Sequence, residues 1–438
     1  MGPVTDRSFV LNPGGLLTGR IRVPGDKSIS HRSIMLAAIA EGVSEINGFL
    51  EGEDSLATLH ALRAMGVGIE GPRNARVVVQ GVGLKGLQAP AGPLDLGNSG
   101  TSMRLLCGLL AGQAFDAELV GDRSLMRRPM RRVTEPLIRM GAKIATSEAG
   151  TAPLRITGGQ SLEGIDYAMP VASAQVKSCL LLAGLYARGR TCVTEPAPTR
   201  DHTERMLIGM GYPVHREPAR ACVTGGGRLG ATRIEVPADI SSAAFFLVGA
   251  SIAPGSDLML EHVGINPTRT GVLDILRLMG ADIALVNARE IGGEPVADLR
   301  VRAARLRGVR IPEDLVPLAI DEFPALFIAA ACAEGRTVLT GAQELRVKES
   351  DRIQVMAEGL QVLGVSATPT GDGMVIEGGG LGGGRVHSRG DHRIAMAFAM
   401  AALRASEAIT IDDCANVNTS FPGFVGLAAD AGLDVNEA

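Results

Sequence analysis

The amino-acid sequence predicts an α/β protein made of six repeats of one two-helix unit, divided three and three between two lobes. Three observations lead there. A helix ending in an apolar residue, Gly and a strand recurs at Met65-Gly66-Val67, Met140-Gly141-Ala142, Met210-Gly211-Tyr212, Met279-Gly280-Ala281, Leu363-Gly364-Val365 and Ala431-Gly432-Leu433, about 70 residues apart. Gly suits the left-handed residue that follows a helix, so each copy marks a helix-to-strand turn. Upstream of each copy runs a second helix that is small and apolar all round, as in Leu180-Leu181-Leu182-Ala183-Gly184-Leu185 and Ala397-Phe398-Ala399-Met400-Ala401-Ala402. A helix with no polar face is buried on every side. The third observation is length: 438 residues exceed one core, and six units divide naturally into two lobes meeting at a cleft. The boundary falls near Val236-Pro237-Ala238, giving a first lobe of residues 22–237 and a second of 1–21 with 238–438, into which Phe9 to Ile21 would pair.

The all-apolar helices begin near Ser28, Ser99, Ser173, Asp239, Asp321 and Asp391, and their starts carry the chemistry. A helix N-terminus presents unpaired N–H groups and a partial positive charge, so a cation there costs ~0.3–1 kcal/mol until an anion arrives. Four of the six starts break that rule. The first follows a Pro-Gly turn, Pro24-Gly25-Asp26-Lys27-Ser28-Ile29-Ser30-His31-Arg32, which hands Lys27, two Ser, His31 and Arg32 to an apolar helix over Ser33 to Glu41. The second is Gly97-Asn98-Ser99-Gly100-Thr101-Ser102-Met103-Arg104, spaced by Gly so that backbone can approach a ligand, although Asn and Ser are also common caps. The third brings Lys177, and the sixth His392 with Arg393. Together they predict a multiply anionic ligand; for any one of them a nearby carboxylate would serve as well.

Further polar clusters lie between the repeats. Arg123-Ser124-Leu125-Met126-Arg127-Arg128-Pro129 with Arg131-Arg132 is strongly basic, and Thr199-Arg200-Asp201-His202-Thr203-Glu204 opens an amphipathic helix where capping competes with ligand binding. Arg346-Val347-Lys348-Glu349-Ser350-Asp351-Arg352 precedes a helix from Ile353 to Leu363. If that helix reaches back, Lys348 and Arg352 form an i,i+4 like-charge pair that wants a counter-ion, and Ser350 is placed to cap. Asp321 and Glu322 obey the dipole rule at a helix start with Pro324 in its first turn, which capping alone would explain. In a cationic cleft, however, a carboxylate repels an anionic ligand, and the role left for it is general base.

Composition excludes several classes. A net charge of −4, three Tyr, ten Phe and no Trp leave neither a nucleic-acid footprint nor stacking platforms. The six Cys show no C-x-x-C spacing and read as buried reduced thiols, and no cluster has metal-ligand spacing. Met1 to Asp6 lacks the basic-then-apolar pattern of a leader, and no uncharged apolar run approaches the ~18 residues of a membrane helix. The expectation is a cytoplasmic monomer with small-molecule partners and no membrane or nucleic-acid partner.

Taken together, Pro24-Gly25-Asp26-Lys27-Ser28 with Arg32, Gly97-Asn98-Ser99-Gly100-Thr101 with Arg104, Arg128-Pro129, Ser173-Ala174-Gln175, Asp321-Glu322, Arg346 to Arg352 and Asp391-His392-Arg393 resemble the enolpyruvyl transferases over essentially the whole chain. The resemblance implies a two-lobed inside-out α/β barrel of βαβαββ units, three per lobe, with inner helices pointing at the interlobe cleft. It implies transfer of an enolpyruvyl group from phosphoenolpyruvate to the 5-hydroxyl of shikimate 3-phosphate, releasing inorganic phosphate, on the way to chorismate and the aromatic amino acids. No redox cofactor is needed. Both substrates carry a phosphate and a carboxylate, the kind of ligand the charged helix starts ask for.

By motif, the resemblance assigns Lys27, Ser28, Arg32, Ser173, Ala174, Gln175, Arg200, Asp321 and Lys348 to shikimate 3-phosphate. It assigns Lys27, Gly100, Arg128, Gln175, Arg352, His392 and Arg393 to phosphoenolpyruvate. Asp321 is then the base at the hydroxyl, Glu349 the acid at C3 of the enol, and Lys27 assists proton transfer. The chain departs from the family pattern at Ala174, where many members have Ser, at Glu344, where many have Asn, and at Thr419, where many have a Lys that binds phosphoenolpyruvate. The sister enzyme UDP-N-acetylglucosamine 1-carboxyvinyltransferase usually has a Cys in the loop before its Arg-Pro, and Gly121 to Pro129 has none. A non-catalytic anion- or RNA-binding protein of related repeats is disfavoured by the acidic net charge and by Asp321 and Glu349.

Overall fold

In the computed structural model, which describes residues 7–438, the six repeat glycines all lie at positive φ, from 80° at Gly211 to 116° at Gly432. Each sits just past a helix of one of two kinds. Among the described residues the α-helices are α1 (Lys27–Ala38), α2 (Glu53–Ala64), α3 (Gly100–Ala111), α4 (Arg131–Arg139), α5 (Ala174–Gly184), α6 (His202–Gly209), α7 (Ile240–Ile252), α8 (Gly271–Leu278), α9 (Phe323–Cys332), α10 (Arg352–Val362), α11 (His392–Ala401) and α12 (Phe424–Ala431). Odd-numbered helices are buried nearly throughout, all 13 residues of α7 included, whereas even-numbered ones keep an exposed face. Four of the six polar starts predicted from sequence are real caps: Ser99, Ser173, Asp239 and Asp391 accept from backbone N–H groups of α3, α5, α7 and α11, whereas α1 is capped by Asp26 and not by Ser28.

Each repeat adds a small sheet over its buried helix. Arg233–Glu235, Glu41–Asn47, Arg76–Val82 and Gly68–Arg73 form one sheet in that order, with its first pair parallel and the rest antiparallel. The same pattern recurs in Leu94–Asp95, Ala117–Val120, Leu154–Thr157, Lys143–Ala145 and in Asp166–Ala168, Arg190–Thr194, Arg220–Thr224, Val214–Glu217. Of the other three sheets, one takes Thr18–Ile21 as a parallel neighbour of Asp257–Gly264, and another inserts Phe9–Leu11 between Ile409–Asp412 and Val435–Glu437. The sixth has three strands, Arg336–Leu339, Met374–Glu377 and Ser366–Pro369, with a single parallel bridge from Arg310 to Val338 in place of a fourth. Helices inside and sheets outside give each set of three repeats its own apolar core.

The chain divides into two compact units. One holds Gly25–Val236 and Ile291–Glu294; the other holds the described residues up to Pro24, Pro237–Glu290 and Pro295–Ala438. The cuts fall at Pro24/Gly25 and Val236/Pro237, against 21/22 and 237/238 from sequence, and the turn Ile291–Glu294 was not foreseen in the first unit.

Three local expectations need correcting. α1 starts at Lys27, not Ser33, because Asp26 caps it by accepting from Ile29 N–H at 2.8 Å, and Glu41 begins a strand. α10 starts at Arg352 behind the cap Asp351, so Ser350 does not cap and Lys348 lies outside the helix, past a 3-10 turn over Gln343–Val347. The expectation of six reduced thiols fails at Cys192 and Cys222, which are bonded to each other. They face each other directly in the antiparallel pair of Arg190–Thr194 and Arg220–Thr224, a register that Cys spacing does not reveal.

Candidate active site

In the first unit the Pro-Gly turn delivers Lys27 and Ser28 as the opening residues of α1. Gly25 is required sterically, since a Cβ there would lie 1.8 Å from the Gly48 carbonyl oxygen. Lys27 Nζ donates to Asp54 Oδ2 at 3.1 Å, from the first turn of α2. Arg32, 3 % exposed, spends its guanidinium on the protein: Nε donates to Thr203 Oγ1 at 2.8 Å, Nη2 to Ser178 Oγ at 2.7 Å and Nη1 to the Ser28 carbonyl at 2.9 Å. Arg200 Nη1 reaches Ser28 Oγ at 3.3 Å, so Ser28 is where Arg32 and Arg200 meet.

The starts of α3 and α5 supply the rest of this half. Gly100 opens α3, and an added Cβ would lie 3.0 Å from Arg128 Nη1 and 3.6 Å from Arg104 Nη1, so the glycine lets two guanidiniums close in. Arg128 is steadied by Asn98 Oδ1 at 2.6 Å. Gln175 accepts from Arg104 Nη1 and donates to Thr101 Oγ1 at 3.0 Å, tying the first turn of α5 to that of α3. Ser173 caps α5, and Ala174 is its first residue.

In the second unit the carboxylates and cations interlock. Arg352 is 1 % exposed; its Nε donates to Asp391 Oδ2 at 2.8 Å, Nη2 to Glu349 Oε2 at 2.6 Å and Nη1 to Asp321 Oδ1 at 3.4 Å. Burial alone would lower its pKa, but Asp391, Glu349 and Asp321 more than reverse this and hold it above the ordinary arginine value. Lys348 Nζ lies 3.1 Å from the same Asp321 oxygen. Asp321 therefore does not cap α9: the cap position is Glu322, whose side chain turns instead to Ser241 and Arg269. His392 and Arg393 open α11. Arg393 is 7 % exposed, and among the described residues its guanidinium has no hydrogen-bond or ion-pair partner.

A family model described as EPSP synthase (3-phosphoshikimate 1-carboxyvinyltransferase) matches residues 11–427. The chain belongs to the EPSP synthase family. Relatives within it include the 3-phosphoshikimate 1-carboxyvinyltransferase of Alkalilimnicola ehrlichii, 75 % identical over 426 residues (97 % of this chain, 96 % of that one). Another, of Methylococcus capsulatus, is 72 % identical over 430 residues, 98 % of each chain. The solved structure of EPSP synthase from Acinetobacter baumannii aligns with a TM-score of 0.89 at 59 % identity, covering 99 % of this chain and 100 % of that one.

Within this EPSP synthase chain, one cation of the helix starts is already paired inside the fold. Lys177 is buried with two carboxylates of its own, Glu195 and Glu204, the bland alternative weighed from sequence. Conversely, Asp54, Asn98 and Asp391 hold candidate site residues, a role the sequence alone does not give them. Asp391 and Asn98 stood within quoted motifs; Asp54 carried only the weak signal of an acid in a helix's first turn. Thr419 is buried and donates to the Asn416 carbonyl at 2.7 Å.

Proposed function

We propose that this protein transfers the enolpyruvyl group of phosphoenolpyruvate to the 5-hydroxyl of shikimate 3-phosphate, giving 5-enolpyruvylshikimate 3-phosphate and inorganic phosphate. The observation that carries the reading is Arg393, a nearly buried guanidinium at a helix N-terminus that has no partner among the described residues, inside a chain of this family. Such a site asks for an anion. Lys27, Ser28, Arg32, Ser173, Ala174, Gln175, Arg200, Asp321 and Lys348 bind shikimate 3-phosphate in this proposal. Lys27, Gly100, Arg128, Gln175, Arg352, His392 and Arg393 surround phosphoenolpyruvate in it.

Addition removes the 5-hydroxyl proton while C3 of the enol is protonated to a methyl; elimination then takes one proton back from that methyl as phosphate leaves the tetrahedral adduct, restoring the double bond. Asp321 takes the hydroxyl proton; its carboxylate is held by Lys348 and Arg352, so its direction is set before substrate arrives. Glu349, three residues from Arg352 and bonded to it, delivers the proton to C3. Lys27 steadies the departing phosphate. Among the described residues no helix is long and apolar enough to cross a membrane. The proposal places the enzyme in the cytoplasm as a monomer. The test is inorganic phosphate release from phosphoenolpyruvate with and without shikimate 3-phosphate, with the UDP-sugar as control acceptor. Release that depends on shikimate 3-phosphate is expected; release only with the UDP-sugar, or with neither, rejects the reading.

A further inference from the structure

Lys177 Nζ is an ammonium 2 % exposed inside α5, 2.9 Å from Glu204 Oε1 and 3.1 Å from Glu195 Oε1. It also donates to the Thr199 carbonyl at 3.4 Å. Burial alone would lower its pKa, but Glu204 and Glu195 reverse this and hold it above the ordinary lysine value. The Thr199 hydroxyl donates to the other Glu195 oxygen, Oε2, at 2.5 Å. Thr199 is thus gripped at its carbonyl and at its side chain by one buried cluster, and the next residue is Arg200, whose Nη1 meets Ser28 Oγ. On the far side, Glu204 follows Thr203, which accepts from Arg32.

The arrangement is costly for a purely structural device. Two carboxylates share one ammonium, all three are buried, and Glu204 Oε2 has no hydrogen-bond partner among the described residues. Apolar side chains of the same volume would join α5 and α6 without that desolvation. What they would not do is fix Thr199 by two directional bonds. We infer that Lys177, Glu195 and Thr199 are positioning residues that hold the Arg200 guanidinium at the anionic group of the acceptor substrate. The inference rests on the proposed function above, and it sorts Lys177 from the ligand-binding cations among the helix starts.

The full-length enzyme tests it with Lys177→Met and Thr199→Val, each alone and combined with Arg200→Ala. Each single variant should raise KM for shikimate 3-phosphate, and its Kd by calorimetry, about tenfold, the loss of roughly one charge-assisted hydrogen bond. kcat and KM for phosphoenolpyruvate should stay within about twofold. In the Arg200→Ala background neither variant should raise the acceptor KM further, because the residue they act through is gone. An undiminished rise in that background, an equal rise for both substrates, or no rise in either single variant overturns the inference. Thr199→Val keeps all three charges, so it carries the test if Lys177→Met does not fold. A wild-type enzyme that releases no phosphate with shikimate 3-phosphate would instead defeat the parent reading, a distinct result.

Discussion

Lys27 and Asp54 form an ion pair, Nζ to Oδ2 at 3.1 Å, that joins the first residue of α1 to the first turn of α2. Both ends are largely buried, so the pair is little screened. An ammonium at a helix N-terminus opposes the helix dipole, and the Asp54 charge offsets that cost while directing the Lys27 side chain.

Asp54→Asn keeps the shape and drops the charge. With Lys27 no longer directed, kcat is expected to fall by about 10- to 100-fold, the range a small misplacement produces. Steady-state kinetics check this, and thermal unfolding of the same variant separates misdirection from loss of fold. An unchanged kcat would mean that Asp54 only balances charge.

Asp321→Asn and Glu349→Gln follow from the proposed roles. Each should retain shikimate 3-phosphate and phosphoenolpyruvate binding by calorimetry while turnover falls by about 100- to 10,000-fold, the usual worth of a positioned acid or base. Both carboxylates also hold Arg352, so some loss of thermal stability accompanies either change. Full turnover in one variant would remove that residue from the proton transfers.

The repeat was legible because its markers are local. A glycine past a helix and a cap before one depend on a few adjacent residues: all six glycines and four of the six caps are found where the sequence puts them, and the other two lie within two residues of it. Partnerships across the fold were not. Lys177 looks like Lys27 in sequence, each a cation in the first turn of an apolar helix, yet Lys27 pairs with Asp54 of the next helix and Lys177 with Glu195 and Glu204. Glu195 and Glu204 lie 18 and 27 residues downstream of Lys177, beyond any helical spacing, and only the packing of α6 and the strand Arg190–Thr194 brings them in. The Cys192–Cys222 pairing was hidden for the same reason, since it depends on strand register.

His31 couples stability to pH. It is wholly buried, its Nδ1 is 2.7 Å from Thr58 Oγ1, and burial, then Lys27 and Arg32, hold its pKa well below the ordinary 6.5. The folded chain therefore keeps it neutral where the unfolded chain takes up a proton. The stability this contributes is fully present above 6.5 and is lost as pH falls towards the folded pKa, by about 1.4 kcal/mol per pH unit. Chemical unfolding at about pH 7.5 and about pH 5.5 should show the loss, and His31→Gln should reduce the slope by that amount. An identical slope in the variant would assign the pH dependence to other groups.

Arg393 offers the sharpest contrast between stability and function. Its guanidinium is nearly buried at the start of α11, with a helix dipole of the wrong sign and, among the described residues, no counter-ion. A charge so placed weakens the fold unless a ligand supplies the anion. Arg393→Leu, which keeps the aliphatic stem's packing, should therefore unfold at a higher temperature than the parent without ligand, by the equivalent of about 1 kcal/mol. The same variant should lose most of its affinity for phosphoenolpyruvate and should no longer be stabilised when that substrate is added. The parent should show the reverse, a lower melting temperature alone and a larger rise with substrate. If Arg393→Leu instead melts lower without ligand, the guanidinium is satisfied within the fold, and the anion site must rest on Lys27, Arg128 and His392.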